Sequence, residues 1–104
     1  MRILSIEYAL LSIQSALLGE ITPELRAVTI DLDLGKEVFY AFFYYDGEVS
    51  EERIDLWDCV ICEASADLGV PCFVESRIER LDYPIKIPSG KYCAYLRKED
   101  VKLN

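Results

Sequence analysis

The chain has 104 residues, of which 52% are hydrophobic and 29% charged, and it carries 19 Asp and Glu against 11 Lys and Arg, a net charge of -8, with no His. That length suits one folded unit spanning residues 1–104, and the composition excludes a disordered chain. The negative charge disfavours nucleic acid and anionic membrane, which need Lys and Arg to neutralise phosphate, and favours a basic partner.

Residues 3–18 predict a helix. Ile3, Ile6, Leu10, Ile13 and Leu17 recur in steps of three and four and define a buried stripe. Leu4, Tyr8, Leu11 and Leu18 widen the apolar arc beyond what one sheet face needs, and Gly19 is placed to end the helix in a left-handed conformation. Thr22-Pro23-Glu24 reads as a turn. From Leu25 to Leu34 the chain alternates, with Val28, Ile30, Leu32 and Leu34 on one side and Thr29, Asp31 and Asp33 on the other, as in a half-buried strand. Gly35-Lys36 is a short hairpin turn. Glu37 to Tyr45 is a second strand with an aromatic row on each face: Tyr40, Phe42 and Tyr44 on one, Phe39, Phe43 and Tyr45 on the other.

Asp46-Gly47 closes that strand. Ser50 is a good helix N-cap, Glu51 and Glu52 suit the first turn, and Val49 and Ile54 occupy the positions of a hydrophobic staple. The second helix is expected to run to about Leu68, with a core stripe of Ile54, Trp57, Val60 or Ile61, Ala64 and Leu68; Gly69 stops it and Pro71 prevents its resumption. Cys72 to Leu81 is a third strand, Asp82 to Gly90 a loop, and Lys91 to Arg97 a last strand before a charged tail over 98–104. The order is α-β-β-α-β-β. Its simplest packing is an α+β, two-layer sandwich: a mainly antiparallel four-stranded sheet with both helices on one face.

No run of about 18 apolar residues is present to span a bilayer. Glu7 and Gln14 interrupt the apolar N-terminus before it can serve as a secretion signal. A soluble, cytoplasmic protein is expected, with Cys59, Cys62, Cys72 and Cys93 reduced and used as small apolar residues.

The chemical inventory is thin. Without His, the usual general base and the Ser–His and Cys–His nucleophile pairs are missing, and the five glycines form no phosphate loop. Asp31 and Asp33 share one strand face, where they could bind a metal, act as an acid–base pair, or simply be solvated. Neither a cofactor nor a metal is expected, and the chain does not read as an enzyme.

The most distinctive feature is acidic. Between Asp46 and Asp67 stand eight acids and one base, Arg53. On a helix, Glu51, Asp55, Asp58 and Cys62 share one side, and Glu52, Asp55, Cys59 and Glu63 run beside it, both away from Ile54, Trp57 and Ile61. Such a face is either a solvated outer surface or a negative platform for a basic partner. The aromatic strand is the second feature. One of its rows must leave the helix-covered side, where it packs across strands or offers a contact surface. Sheet aromatics also suit single-stranded RNA, but the basic residues this needs are missing.

Four segments carry a resemblance: Leu25-Arg26-Ala27-Val28-Thr29, Phe43-Tyr44-Tyr45-Asp46-Gly47-Glu48-Val49-Ser50-Glu51-Glu52, Arg80-Leu81-Asp82-Tyr83-Pro84 and Tyr95-Leu96-Arg97-Lys98-Glu99. Over about residues 20–99 the chain resembles small bacterial immunity proteins of polymorphic toxin and contact-dependent growth inhibition systems. The resemblance implies a cytosolic protein that binds and blocks a cognate toxin domain, often a basic nuclease. The expected partner-binding residues are Asp46, Glu48, Glu51, Glu52, Asp55 and Asp58, with Tyr44 as an aromatic anchor and Asp31 and Asp33 as further acids. The alternative is a small structural or regulatory protein that self-associates through the first helix or the aromatic sheet face.

Overall fold

A computed structural model describes residues 5–67, 73–88 and 92–99. Its elements are α1 (Ile6–Leu17), β1 (Leu25–Asp33), β2 (Val38–Tyr45), α2 (Glu51–Asp67), β3 (Phe73–Arg80) and β4 (Tyr92–Leu96), in the expected order. The expected roles of Ile3, Leu4, Leu68, Gly69, Pro71, Cys72 and Lys91 fall outside the described residues.

The four strands form one sheet in the order β3-β2-β1-β4. β1 pairs antiparallel with both β2 and β4. β2 and β3 are parallel, because α2 carries the chain back across the sheet between them. The sheet is thus mixed and mostly antiparallel. The pairing of β2 with β3 keeps one register over eight positions, from Val38↔Phe73 to Tyr45↔Arg80. The other two pairings each contain a shift, at Leu25/Ala27 and at Val28/Thr29.

Both helices cover the same face. Val28 and Ile30 of β1 join Phe39, Ala41, Phe43 and Tyr45 of β2 in a core closed by Ile13 and Leu17 from α1 and by Trp57, Val60, Ile61 and Ala64 from α2. Trp57 is the largest fully buried side chain. Its ring stacks on Phe43 with centroids 5.0 Å apart, and its indole N–H donates to the Tyr45 hydroxyl. Burial of side chains this size each contributes about 1.5–3 kcal/mol.

α1 starts three residues later than expected because the Ser5 side chain caps it, accepting from the Tyr8 amide at 3.2 Å. Its buried positions are Ala9, Ser12, Ile13, Ala16 and Leu17, while Ile6 and Leu10 are only half-buried. The small residues face α2, and Ser12 donates to Asp67 at 2.8 Å across that contact. Gly19 ends the helix region at φ +81, as expected. The β1–β2 turn spans 34–37, and the left-handed residue in it is Glu37 at φ 56 rather than the glycine. Asp33 accepts from the Lys36 amide at 3.0 Å and so holds that turn.

Candidate functional site

The acidic surface is built on α2. Ser50 caps the helix with its hydroxyl and carbonyl on the Arg53 amide, at 3.3 and 3.0 Å. Glu51 and Glu52 fill the first turn, where the helix dipole favours anions. Trp57, Val60, Ile61 and Ala64 fix which side faces the sheet, leaving Glu51, Glu52, Asp55, Asp58 and Glu63 exposed. Ile54, expected in the core stripe, is 39% exposed. It stands in the first turn of the helix, one turn before Trp57.

Asp58 fixes the direction of the acidic row. It accepts a hydrogen bond from the Ser76 hydroxyl of β3 at 3.1 Å. The side of α2 bearing Asp58 therefore overhangs β3, an edge strand of the sheet.

The other expected acids do not join this row. Asp46 pairs with Arg97 at 3.2 Å and accepts from the Tyr83 amide at 3.4 Å, so it is engaged within the fold. Glu48 projects into solvent 4.0 Å from Arg80. Asp31 and Asp33 stand on the sheet face away from the helices and near the β1–β2 turn, at the opposite end of β1 from Asp46. Asp31 also accepts from the Leu32 amide at 2.8 Å. Among the described residues, no group of three or more acids or cysteines is placed to hold a metal ion.

Tyr44 was expected beside the acidic helix as an anchor. It lies instead on the open sheet face, opposite Ala27, and is 6% exposed. Burial raises its phenol above the ordinary value. Tyr40 and Phe42, on the same face, keep partial exposure. The cysteines also depart from expectation: Cys59, Cys62 and Cys93 are free but exposed, so they do not serve as core residues.

Sequence reasoning missed a polar junction at the end of the sheet where β1 begins. Arg26 occupies the bulge of β1 and is 2% exposed. Its Nε and Nη2 donate to the two Glu99 oxygens at 2.7 and 2.9 Å, and its Nη1 donates to the carbonyls of Leu81 and Ile85, both at 2.7 Å. Arg97 adds bonds to Glu99 and to the Pro23 carbonyl, each at 2.7 Å. Asp82 accepts from the Gly47 amide at 2.7 Å and pairs with Arg80 at 3.1 Å. The Arg26 guanidinium holds the Glu99 carboxyl below its ordinary pKa, and the Arg80 guanidinium does the same for Asp82. The four segments behind the family resemblance all meet here, so they mark a structural junction. The hint in the sequence was Arg26, the one cation of β1.

Beside this junction, Tyr83, Ile85, Ile87, Leu96 and Lys98 line an open groove of ≈ 1180 Å³. Within the described residues, then, the chain offers surfaces and an ion-paired scaffold. No helix among those residues is long and apolar enough to cross a membrane.

A family model described as MafI2 immunity protein matches residues 6–99. A search of curated proteins found no match.

Proposed function

The chain belongs to the MafI2 immunity protein family, the immunity proteins of a polymorphic toxin system, and from that premise we propose that it neutralises its cognate toxin by docking the acidic side of α2 on a basic surface of the toxin domain. Binding alone does this, with no catalytic step and no cofactor. The toxin we envisage is a nuclease, whose phosphate-binding surface would meet Glu51, Glu52, Asp55 and Asp58 in place of nucleic acid.

The observation that carries this reading is the exposed row on α2, fixed in direction by Asp58 on Ser76. The remaining acids are scattered or engaged, which concentrates the proposal on α2. Glu48 is a rim charge at most. Asp46 acts by holding the junction behind the helix start. Tyr44 is too buried to serve as an anchor, and Asp31 and Asp33 face the other way.

The test is the double reversal Asp55→Lys with Asp58→Lys, followed by capture of the cognate toxin domain. The folded variant is expected to lose capture and protection. Wild-type capture would remove the α2 face as the interface.

A second reading has one observation in its favour. Leu11 and Leu18 of the first helix region are 63% and 78% exposed, which suits self-association through α1. A solution mass equal to one chain at working concentrations would exclude it.

A further inference from the structure

We propose that β3 is a pairing edge, on which a Lys- or Arg-rich extended segment of the toxin domain adds as a fifth strand beneath the acidic overhang of α2. The inference rests on the docking proposed above and specifies its mode.

β3 is one of the two edges of the sheet. Its backbone bonds to β2 begin with the Phe73 amide on the Glu37 carbonyl at 2.8 Å, and the Leu81 amide just past the strand bonds to the Tyr45 carbonyl at 2.7 Å. Strand groups alternate in direction, so Phe73, Glu75, Arg77, Glu79 and Leu81 all point their N–H and C=O towards β2. The backbone groups of Val74, Ser76, Ile78 and Arg80 therefore point outward, and no described strand pairs with them. An open row of this kind is a template for another strand.

The two edges are not equivalent. β4 has five residues, and its pairing with β1 contains a register shift, which blunts an edge. β3 has eight residues and one uninterrupted register with β2, so it continues straight.

Charge selects the occupant. The hydrogen bond from Ser76 to Asp58 sets the side of α2 that carries Glu51, Asp55 and Asp58 over the helix-side flank of β3. An added strand would bring its helix-side residues beneath these carboxylates. Lys or Arg at alternate positions would meet them, and acids there would be repelled. The same repulsion argues against a second copy of this chain on the edge, because pairing β3 with itself would bring two such acidic flanks together.

The test uses the full chain and its cognate toxin domain, and reads amide hydrogen exchange with and without toxin. The amides of Val74, Ser76 and Ile78 are expected to exchange quickly in the free protein and to slow at least tenfold in the complex. Those of Glu75 and Arg77, already bonded to β2, change little. A complex in which the three outward amides exchange as in the free protein overturns strand addition. Ser76→Pro removes one outward donor without touching the ladder to β2. It is expected to bind about tenfold more weakly or worse, and more weakly than Ser76→Ala, which keeps the backbone donor and loses only the side-chain bond to Asp58. A folded Ser76→Pro variant with wild-type affinity also overturns the proposal. If Ser76→Pro fails to fold, the exchange measurement on the unaltered chain decides. The two proposals fail separately. Loss of capture in the Asp55→Lys, Asp58→Lys variant with unprotected outward amides in the wild-type complex leaves the docking face standing and removes the added strand. Wild-type capture with protected amides leaves the added strand and removes the charge-based docking.

Discussion

Arg26 and Glu99 face each other as a fork on a carboxylate, Nε to Oε2 at 2.7 Å and Nη2 to Oε1 at 2.9 Å, although 73 positions separate them in the chain. Both are largely withdrawn from water, with side chains 2% and 11% exposed. Removing one partner leaves the other charge buried without its counterpart. Glu99→Ala is therefore expected to cost about 3–5 kcal/mol in urea unfolding. Replacing both, Arg26→Met with Glu99→Leu, should cost clearly less than the two single changes added together. Strict additivity would show that the pair is not coupled.

The same pair gives stability a pH dependence of fixed sign. The hydrogen bond from Arg26, opposed by burial and aided by Arg97, holds the Glu99 carboxyl below its ordinary value of 4.5. The folded state then binds this proton less readily than the unfolded state. The contribution is complete above about pH 4.5 and is lost as pH falls through the depressed folded value. Asp82, lowered first by Arg80 and then by the Gly47 amide, adds a loss of the same sign. The melting temperature should stay level near neutrality, where no imidazole titrates, and drop on acidification below pH 4.5. Glu99→Gln should flatten part of that drop; an unchanged acid limb in this variant would refute the assignment.

The first helix separates core from rim within one turn. Ile13 is fully buried, so Ile13→Ala should cost about 2–5 kcal/mol. Leu10 is half-buried and packs at the edge of the core, so Leu10→Ala should cost about 1–2 kcal/mol. Leu11 points outward, and Leu11→Ser should stay within about 0.5 kcal/mol. Chemical denaturation of the three variants checks the order, and equal losses at residues 10 and 13 would contradict it.

The three described thiols carry no part of the fold. Cys59, Cys62 and Cys93 are free and exposed. Dithiothreitol or a chelator should leave the melting temperature unchanged, and iodoacetamide should label at least these three residues without prior unfolding. Protection of any of them in the native state would show a pairing or a bound metal.

Much of the fold was legible because local periodicity survives in this chain. The alternation of Val28, Ile30 and Leu32 against Thr29 and Asp31 marks the helix-covered face, although β1 is buried on both sides from Leu25 to Ile30, Thr29 included, and Ser50 and Gly19 mark helix ends by their own chemistry. The helical stripe on α1 was less legible. Ala9 and Ala16 could be read as bordering the stripe and permitting close approach, but Ile6 and Leu10 suggested a buried line that the structure leaves half-exposed, and the burial of Ser12 was not indicated. The direction of β3 was hidden because alternation is the same in parallel and antiparallel pairing. The acidic row could be read from helical spacing, but its position over β3 depends on the hydrogen bond between Asp58 and Ser76, 18 residues apart. The Arg26 junction was beyond local reading, since its partners lie 55 to 73 residues away.

β1 is flanked by β2, which follows it directly, and by β4, the last of the described strands. During synthesis β1 and β2 can form their hairpin early, and α2 with β3 can then close one side. The other edge of β1 stays open until residues 92–96 have left the ribosome, and Arg26 is buried without its carboxylate until Glu99 follows. A nascent chain halted between β3 and β4 therefore leaves one edge of β1 unpaired and Arg26 without Glu99, a form suited to aggregation.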